Sequence, residues 1–217
     1  MTTHPGPRRR RAHRPVIRQE LVEAAVQEFA ARGFDGASTR AIAARVGAHQ
    51  PQINYHFASK EALWRAAADH LFGLLHAELD GVGLDPQTIA ALTAAELAER
   101  FADAIRRFVR FAARHPELNR IMIHEGYTPT DRLQWLTGQH IRPLHEVVTA
   151  AWSRLRSAGI AAPLPAEVIH HVLVGAASLP YAVGAEVELL GLRAVVEPQW
   201  VEAHADGLVA TLLPGTP

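Results

Sequence analysis

Five polar side chains, Gln50, Gln52, Asn54, Tyr55 and His56, stand within seven residues. The carboxamides of Gln and Asn can bond adenine at two points, while Tyr and His suit phosphate oxygens. Between them Ile53 and Phe57 are apolar and four apart. A short helix over residues 50–57 therefore turns these two inward and leaves the polar five outward. Pro51 fits its first turn, where the missing N–H is no loss. No acidic residue falls in 36–60, as a surface facing a polyanion requires. Just upstream, Ser38 suits the N-cap of a second helix, Thr39 to Val46, with Ile42 and Val46 on its inner face. Ala41 stands where a capping-box Glu would reinforce that cap. Gly47 then permits a sharp turn. A short helix, a glycine turn and a second short helix make a helix-turn-helix, whose second helix enters the major groove of DNA.

Other elements must hold this pair. Residues 16–32 read as a first helix, with Ile17, Leu21, Ala24, Ala25 and Phe29 on one face and Gly33 at its end. Ser59 caps a long fourth helix whose apolar face is Leu63, Ala67, Leu71, Leu74 and Leu75, ending near Gly81-Val82-Gly83. Further helices follow. They are 93–114 (Leu97, Phe101, Ile105, Phe108, Phe111 or Ala112), one from Pro116 (Leu118, Ile121, Met122), and 130–157 bent by Pro143. Two more are 165–190, with a weak point at Pro180, and 198–212. No strand and no internal repeat is evident.

The 217 residues include no cysteine, so disulfide scaffolds, thiol catalysis and thiolate metal sites are excluded, and a cytoplasmic location fits. No apolar run reaches the ~20 residues of a membrane span, so no membrane partner is expected. Residues 1–65 carry eleven Lys/Arg against five Asp/Glu, and the remainder eleven against seventeen. A basic module on an acidic remainder points to a polyanion partner for the first part only. Residues 1–13, with the run Arg8-Arg9-Arg10-Arg11, read as a disordered basic arm. It is either a solvated tail or an arm that tracks DNA phosphates. The sequence holds no G-x-S-x-G, no phosphate-binding glycine loop and no H-E-x-x-H, so no catalytic residue is assigned. The pairs His140/His145 and His170/His171 lack convergent ligand spacing, and neither a metal nor a cofactor is expected.

The chain runs Thr39-Arg40-Ala41-Ile42-Ala43, then Val46-Gly47, then Ile53-Asn54-Tyr55-His56-Phe57, then Ser59-Lys60-Glu61-Ala62-Leu63. On these residues it resembles, from about Arg14 to Leu74, the DNA-binding domain of TetR-family regulators. An aromatic-His-Phe end to the recognition helix, followed by Ser-Lys-Glu, is the specific part of the resemblance. The resemblance implies that Ser38, Thr39 and Arg40 touch phosphate, with Arg40 in reach of a base. Gln50, Pro51 and Gln52 would read the groove, Tyr55 and His56 would clamp phosphates, and Lys60, the only lysine, would touch the backbone. Asn54 replaces a more usual tyrosine and Pro51 a small flexible residue, which bears on the DNA sequence read.

The resemblance also implies an all-α fold. An N-terminal three-helix helix-turn-helix domain (14–74) would join through the long fourth helix to a C-terminal ligand-binding and dimerisation domain (75–217). Residues 165–190 and 198–212 would build the bundle of a homodimer on a near-palindromic operator. A repressor released by a small-molecule effector of unknown identity is the function implied. Aromatic and polar groups mixed among apolar ones suggest Phe101, Phe108, Met122, His124, Tyr127, Trp135 and Trp152 as pocket lining. A second reading, a non-specific DNA-binding protein using its basic arm, stays open on the residues alone.

Overall fold

Ser38 and Ser59 start two of the helices that shape the N-terminal third of the chain. The Ser38 Oγ accepts the Ala41 N–H at 3.4 Å and the Ser59 Oγ accepts the Ala62 N–H at 3.0 Å, so each offsets one of the donors a helix start leaves free. The computed structural model describes residues 18–192 and 196–215, so the basic arm at 1–13 and the start of the first helix lie outside the described residues. In chain order the helices are α1 (Arg18–Gly36), α2 (Thr39–Arg45), α3 (Gln50–His56), α4 (Lys60–Leu79), α5 (Pro86–Ala91) and α6 (Ala94–Arg114). They continue with α7 (Pro116–Glu125), α8 (Asp131–Leu136), a π-helical turn (Thr137–Ile141), α9 (Arg142–Ser157), α10 (Ala166–Ala182), α11 (Gly184–Leu189) and α12 (Pro198–Leu212). No strand occurs among the described residues, and none of their helices is long and apolar enough to cross a membrane.

One core joins α1 to α4 through Leu21, Phe29, Ile42, Ile53, Leu63 and Leu71, and it continues without a break into Leu118 and Ile121 of α7 and Leu136 of α8. A second core holds Leu97, Phe101 and Ile105 of α6 against Trp152 and Leu155 of α9 and Ile169 of α10. A third, smaller one packs Val109 and Ala112 of α6 on Ala177 and Tyr181 of α10 and on Val201 and Ala205 of α12. Burial on α4 is wider than the single predicted stripe. Trp64, Ala68 and Phe72 are buried as well as Leu63, Ala67, Leu71 and Leu75, because both α1 and α6 pack on it.

Two predicted helices differ in detail, and one helix is additional. The expected helix over 130–157 is interrupted at residues 137–141 by the π turn. Pro143 has no N–H and its ring presses on the preceding turn, and a widened turn just before it relieves both problems. The expected helix over 165–190 is two helices, and it breaks at Val183 rather than at Pro180. Pro180 cannot bond the carbonyl of Ala176 four residues back. That carbonyl is instead taken by the His204 Nε2–H of α12 at 3.1 Å. With Nε2 protonated, His204 Nδ1 accepts from the Tyr181 hydroxyl at 2.9 Å. Burial holds the His204 imidazole below its ordinary pKa and pushes the Tyr181 phenol up to about 12, so both stay neutral. Finally, α5 is an extra helix in the stretch after Gly83, started by Asp85, whose carboxylate accepts the Gln87 and Thr88 N–H groups.

Candidate nucleic-acid interface and internal cavity

The turn between α2 and α3 depends on Gly47, whose φ of 68° lies in the left-handed region that favours glycine. It sets α3 across α2 with Ile53 and Phe57 buried and Pro51, Asn54 and Tyr55 exposed on the outside. Tyr55 is 86% exposed, so its ring adds little to the core, and it lies edge-on to the His56 ring at 5.0 Å. Two of the expected groove readers are already bonded within the motif. Gln50 Nε2 donates to Thr39 Oγ1 at 2.9 Å, locking α3 to α2. Gln52 Oε1 accepts the backbone N–H of His49 at 2.9 Å, capping α3 from within. Arg40 and Ser38 are exposed at the start of α2. Lys60 Nζ lies 4.7 Å from the Phe34 ring centre and donates to the Asp35 carbonyl at 3.4 Å. A buried carboxylate holds the motif to α1: Glu28 pairs with Arg32 at 3.2 Å and with Arg45 of α2 at 3.3 Å. The apolar periodicity of α1 gave no sign of it.

The C-terminal helices enclose a cavity of about 980 Å³, at the upper end of the range for small-molecule sites. Its walls come from α4, α6, α7, the π turn, α9 and α10, with Phe72, Phe101, Ile105, Phe108, Phe111 and Leu173 among the apolar lining. Of the predicted lining, Phe101, Phe108 and Met122 are in the wall. The other four lie elsewhere. Trp152 is fully buried behind Phe101, with its indole N–H donating to the Leu164 carbonyl at 3.0 Å. Trp135 packs on Trp64 and His140. His124 covers Gly33, and Tyr127 is 84% exposed. The polar part of the wall includes Arg142 and His145 of α9 and His170 and His171 of α10, none of which was expected there. The ring centres of His145 and His170, and of His170 and His171, are each 5.4 Å apart. Burial, helped by the two neighbouring imidazoles, lowers the His170 pKa to about 4. Among the described residues no group of three or more His, Asp or Glu could hold a metal ion.

Residues 21–67 match the family of bacterial regulatory proteins described as the tetR family. The chain carries the DNA-binding domain of that family. It is 29% identical over 186 residues to the HTH-type transcriptional dual regulator CecR of Shigella flexneri, covering 80% of this chain and 78% of that one. Solved structures share the fold. AibR in complex with isovaleryl coenzyme A and operator DNA aligns with a TM-score of 0.63 at 18% identity, over 90% of this chain and 97% of that one. FadR of Bacillus subtilis in complex with stearoyl-CoA aligns with a TM-score of 0.62 at 15% identity, over 91% and 98%.

The helix-turn-helix domain and the cavity meet at one joint. Gly33 has φ 64°, and a Cβ there would come within 3.1 Å of His124 on α7, so glycine is needed both for the bend in α1 and for the close approach. Glu125, at the end of α7, is buried and pairs with Arg132 of α8 at 3.2 Å. The Arg132 guanidinium lies 3.7 Å from the Phe34 ring centre. His140, in the π turn, donates Nε2–H to Asp69 of α4 at 2.9 Å and stacks on Phe72 at 4.4 Å. Burial outweighs the Asp69 carboxylate and holds this imidazole below its usual pKa, so the contact is a hydrogen bond rather than an ion pair. Phe72, Thr137 and Ile141 also line the cavity.

Proposed function

We propose that the chain is a repressor that binds a near-palindromic operator as a homodimer and leaves it when a small molecule fills the cavity. In this reading residues 14–74 are the DNA-binding domain and residues 75–217 bind effector and partner, in the cytoplasm. Ser38, Thr39, Arg40, Tyr55, His56 and Lys60 meet phosphates. Gln50, Pro51, Gln52 and Asn54 face the groove, with Asn54 the freest of the three carboxamides because Gln50 and Gln52 are held by Thr39 and His49. The dimer reading is supported by exposed apolar groups on α10, Val168 and Leu179, and beyond α11, Leu190 and Val196.

The observation that carries the proposal is that one helix serves both sites. Lys60 begins α4 beside the recognition helix, and Phe72, Leu75 and Leu79 of the same helix line the cavity. A helix of 20 residues is ~30 Å long and stiff, so a ligand that moves its far half moves its near end. A ligand shifts the regulator off DNA only if it binds the released state better. AibR, with both a thioester and operator DNA bound, supports the reading that this fold accommodates the two ligands. The test is to incubate the full chain with sheared DNA of its own source at moderate salt and sequence the retained fragments. A recovered near-palindrome is expected. Even coverage with no motif would replace this reading with non-specific binding through the basic arm, and deleting residues 1–13 would then abolish retention.

A further inference from the structure

The cavity wall has a lopsided chemistry. Its buried part is hydrocarbon and aromatic: Phe72, Phe101, Ile105 and Phe111 are all buried side chains that also line it. Its more accessible part carries Arg142, His145 and His171, with the half-buried His170 between the two imidazoles. Arg142 and His145 are one helical turn apart, so they share a face of α9. Arg142 is the only Lys or Arg in the wall, and it has no ion pair among the described residues. The arginines of neighbouring α6 are already engaged: Arg100 with the Val82 and Gly83 carbonyls, Arg106 with Asp206, Arg107 with Asp103, Arg110 with Glu202 and Arg114 with Glu78.

A guanidinium with free donors at the edge of an apolar space favours an acidic group, which it can bond through two parallel N–H···O contacts. The imidazoles add N–H donors beside it. Elsewhere the wall holds no second cationic side chain of Lys or Arg, its further polar groups being His76, Asp80, His115, Asn119, Thr137 and Ser178, and an unpaired charge carried against Phe72, Phe101 and Ile105 would lose its hydration without return. Three phosphate-bearing groups, as on a coenzyme A nucleotide, would need several free cations where one is present. Asp80 is the wall's one carboxylate, so a cationic head is the competing chemistry.

Building on the proposed effector role of the cavity, we infer that its ligand is an apolar monoanion, a long hydrocarbon body with a single acidic group, held at the head by Arg142 with His145 and His171. The coenzyme A thioesters bound by the fold's relatives are then not the ligand of this chain.

The inference is tested by calorimetric titration of the full-length protein with four probes of one chain length: dodecanoic acid, 1-dodecanol, dodecyltrimethylammonium and dodecanoyl-coenzyme A. Dodecanoic acid is expected to bind about ten-fold or more tighter than each of the others, the size of one charge-assisted hydrogen-bonded contact. Arg142→Gln, an exposed position, should bring the acid down to the level of the alcohol and leave the alcohol unchanged. Equal affinity for acid and alcohol in the unaltered protein, tightest binding of the thioester or the ammonium, or an Arg142→Gln variant that weakens acid and alcohol alike would each overturn it. Operator binding is followed in parallel by fluorescence anisotropy. Acid that binds as expected yet leaves DNA binding unchanged would sustain the ligand class and defeat the release mechanism. Release by the alcohol or the thioester but not by the acid would do the reverse.

Discussion

The helix-turn-helix end and the cavity end of this molecule are built on opposite terms. Around α2 and α3 the side chains of Ile42, Ile53 and Phe57 are buried, the helix starts at Ser38 and Ser59 are capped, and even a buried carboxylate, Glu28, has two arginines. Between α4, α6, α7, α9 and α10 about 980 Å³ is left open, and the Arg142 guanidinium in the wall has no ion pair among the described residues. Interiors are normally close-packed, and a void forfeits the dispersion contacts of its lining. A regulator that must hold base-reading side chains in register gains from the first arrangement, and one that must admit a ligand needs the second. The joint at Gly33, Glu125–Arg132 and His140–Asp69 places the firm part directly against the open one.

The largest expected effect separates the two ends by the same kind of substitution. Trp64→Ala removes a side chain that is 1% exposed at the heart of the first core and should cost about 3–5 kcal/mol of stability by chemical denaturation. Phe108→Ala removes a half-buried ring that already borders empty space. It should cost only about 1–2 kcal/mol, while changing ligand affinity. Equal losses would mean that the cavity is not open in solution.

Acid should weaken the cavity end next. The four imidazoles that burial holds below their ordinary value, His115, His140, His170 and His204, all lie beyond α4. For His170 the unfolded chain takes up its proton near pH 6.5 and the folded protein only at about 4. Stability from this group is therefore complete above pH 6.5, falls as the pH drops toward 4, and is level below that. Denaturation midpoints measured across this window should decline, and His170→Asn should flatten part of the slope. A slope unchanged in the variant would place the titration elsewhere.

The smallest effect returns to the DNA-facing end. Ser38→Ala should cost about 0.5–1 kcal/mol and Ser59→Ala somewhat more, about 1–2 kcal/mol, because the Ser59 cap bond is shorter, 3.0 Å against 3.4 Å. Thermal melts of the two variants rank them. The reverse order would show that Gln50–Thr39, rather than the serine, secures α2.

The same contrast decides what could be read from residues alone. The caps Ser38 and Ser59, the turn at Gly47 and the inward pair Ile53 and Phe57 each act within a few residues of themselves, so pattern and spacing locate them. The cavity is assembled from helices far apart in the chain. Phe101, Phe108 and Met122 were reachable because they sit on strongly periodic segments. Trp152 carries the same signal but has its indole bonded at Leu164 and is core. Arg142 and His170 are 28 positions apart in the sequence, and nothing local brings them together. The course of α10 through Pro180 was equally hidden, since the group that takes the freed carbonyl of Ala176 is His204 on another helix.

The central claim is that the two ends are coupled through α4 and the joint. It is tested most directly by measuring affinity for the recovered operator with the cavity empty and with it filled by dodecanoic acid, calorimetry confirming occupancy. The account predicts that operator affinity falls by about ten-fold or more, the usual size of a coupling between two sites. Operator affinity that stays the same with the cavity demonstrably filled would contradict it.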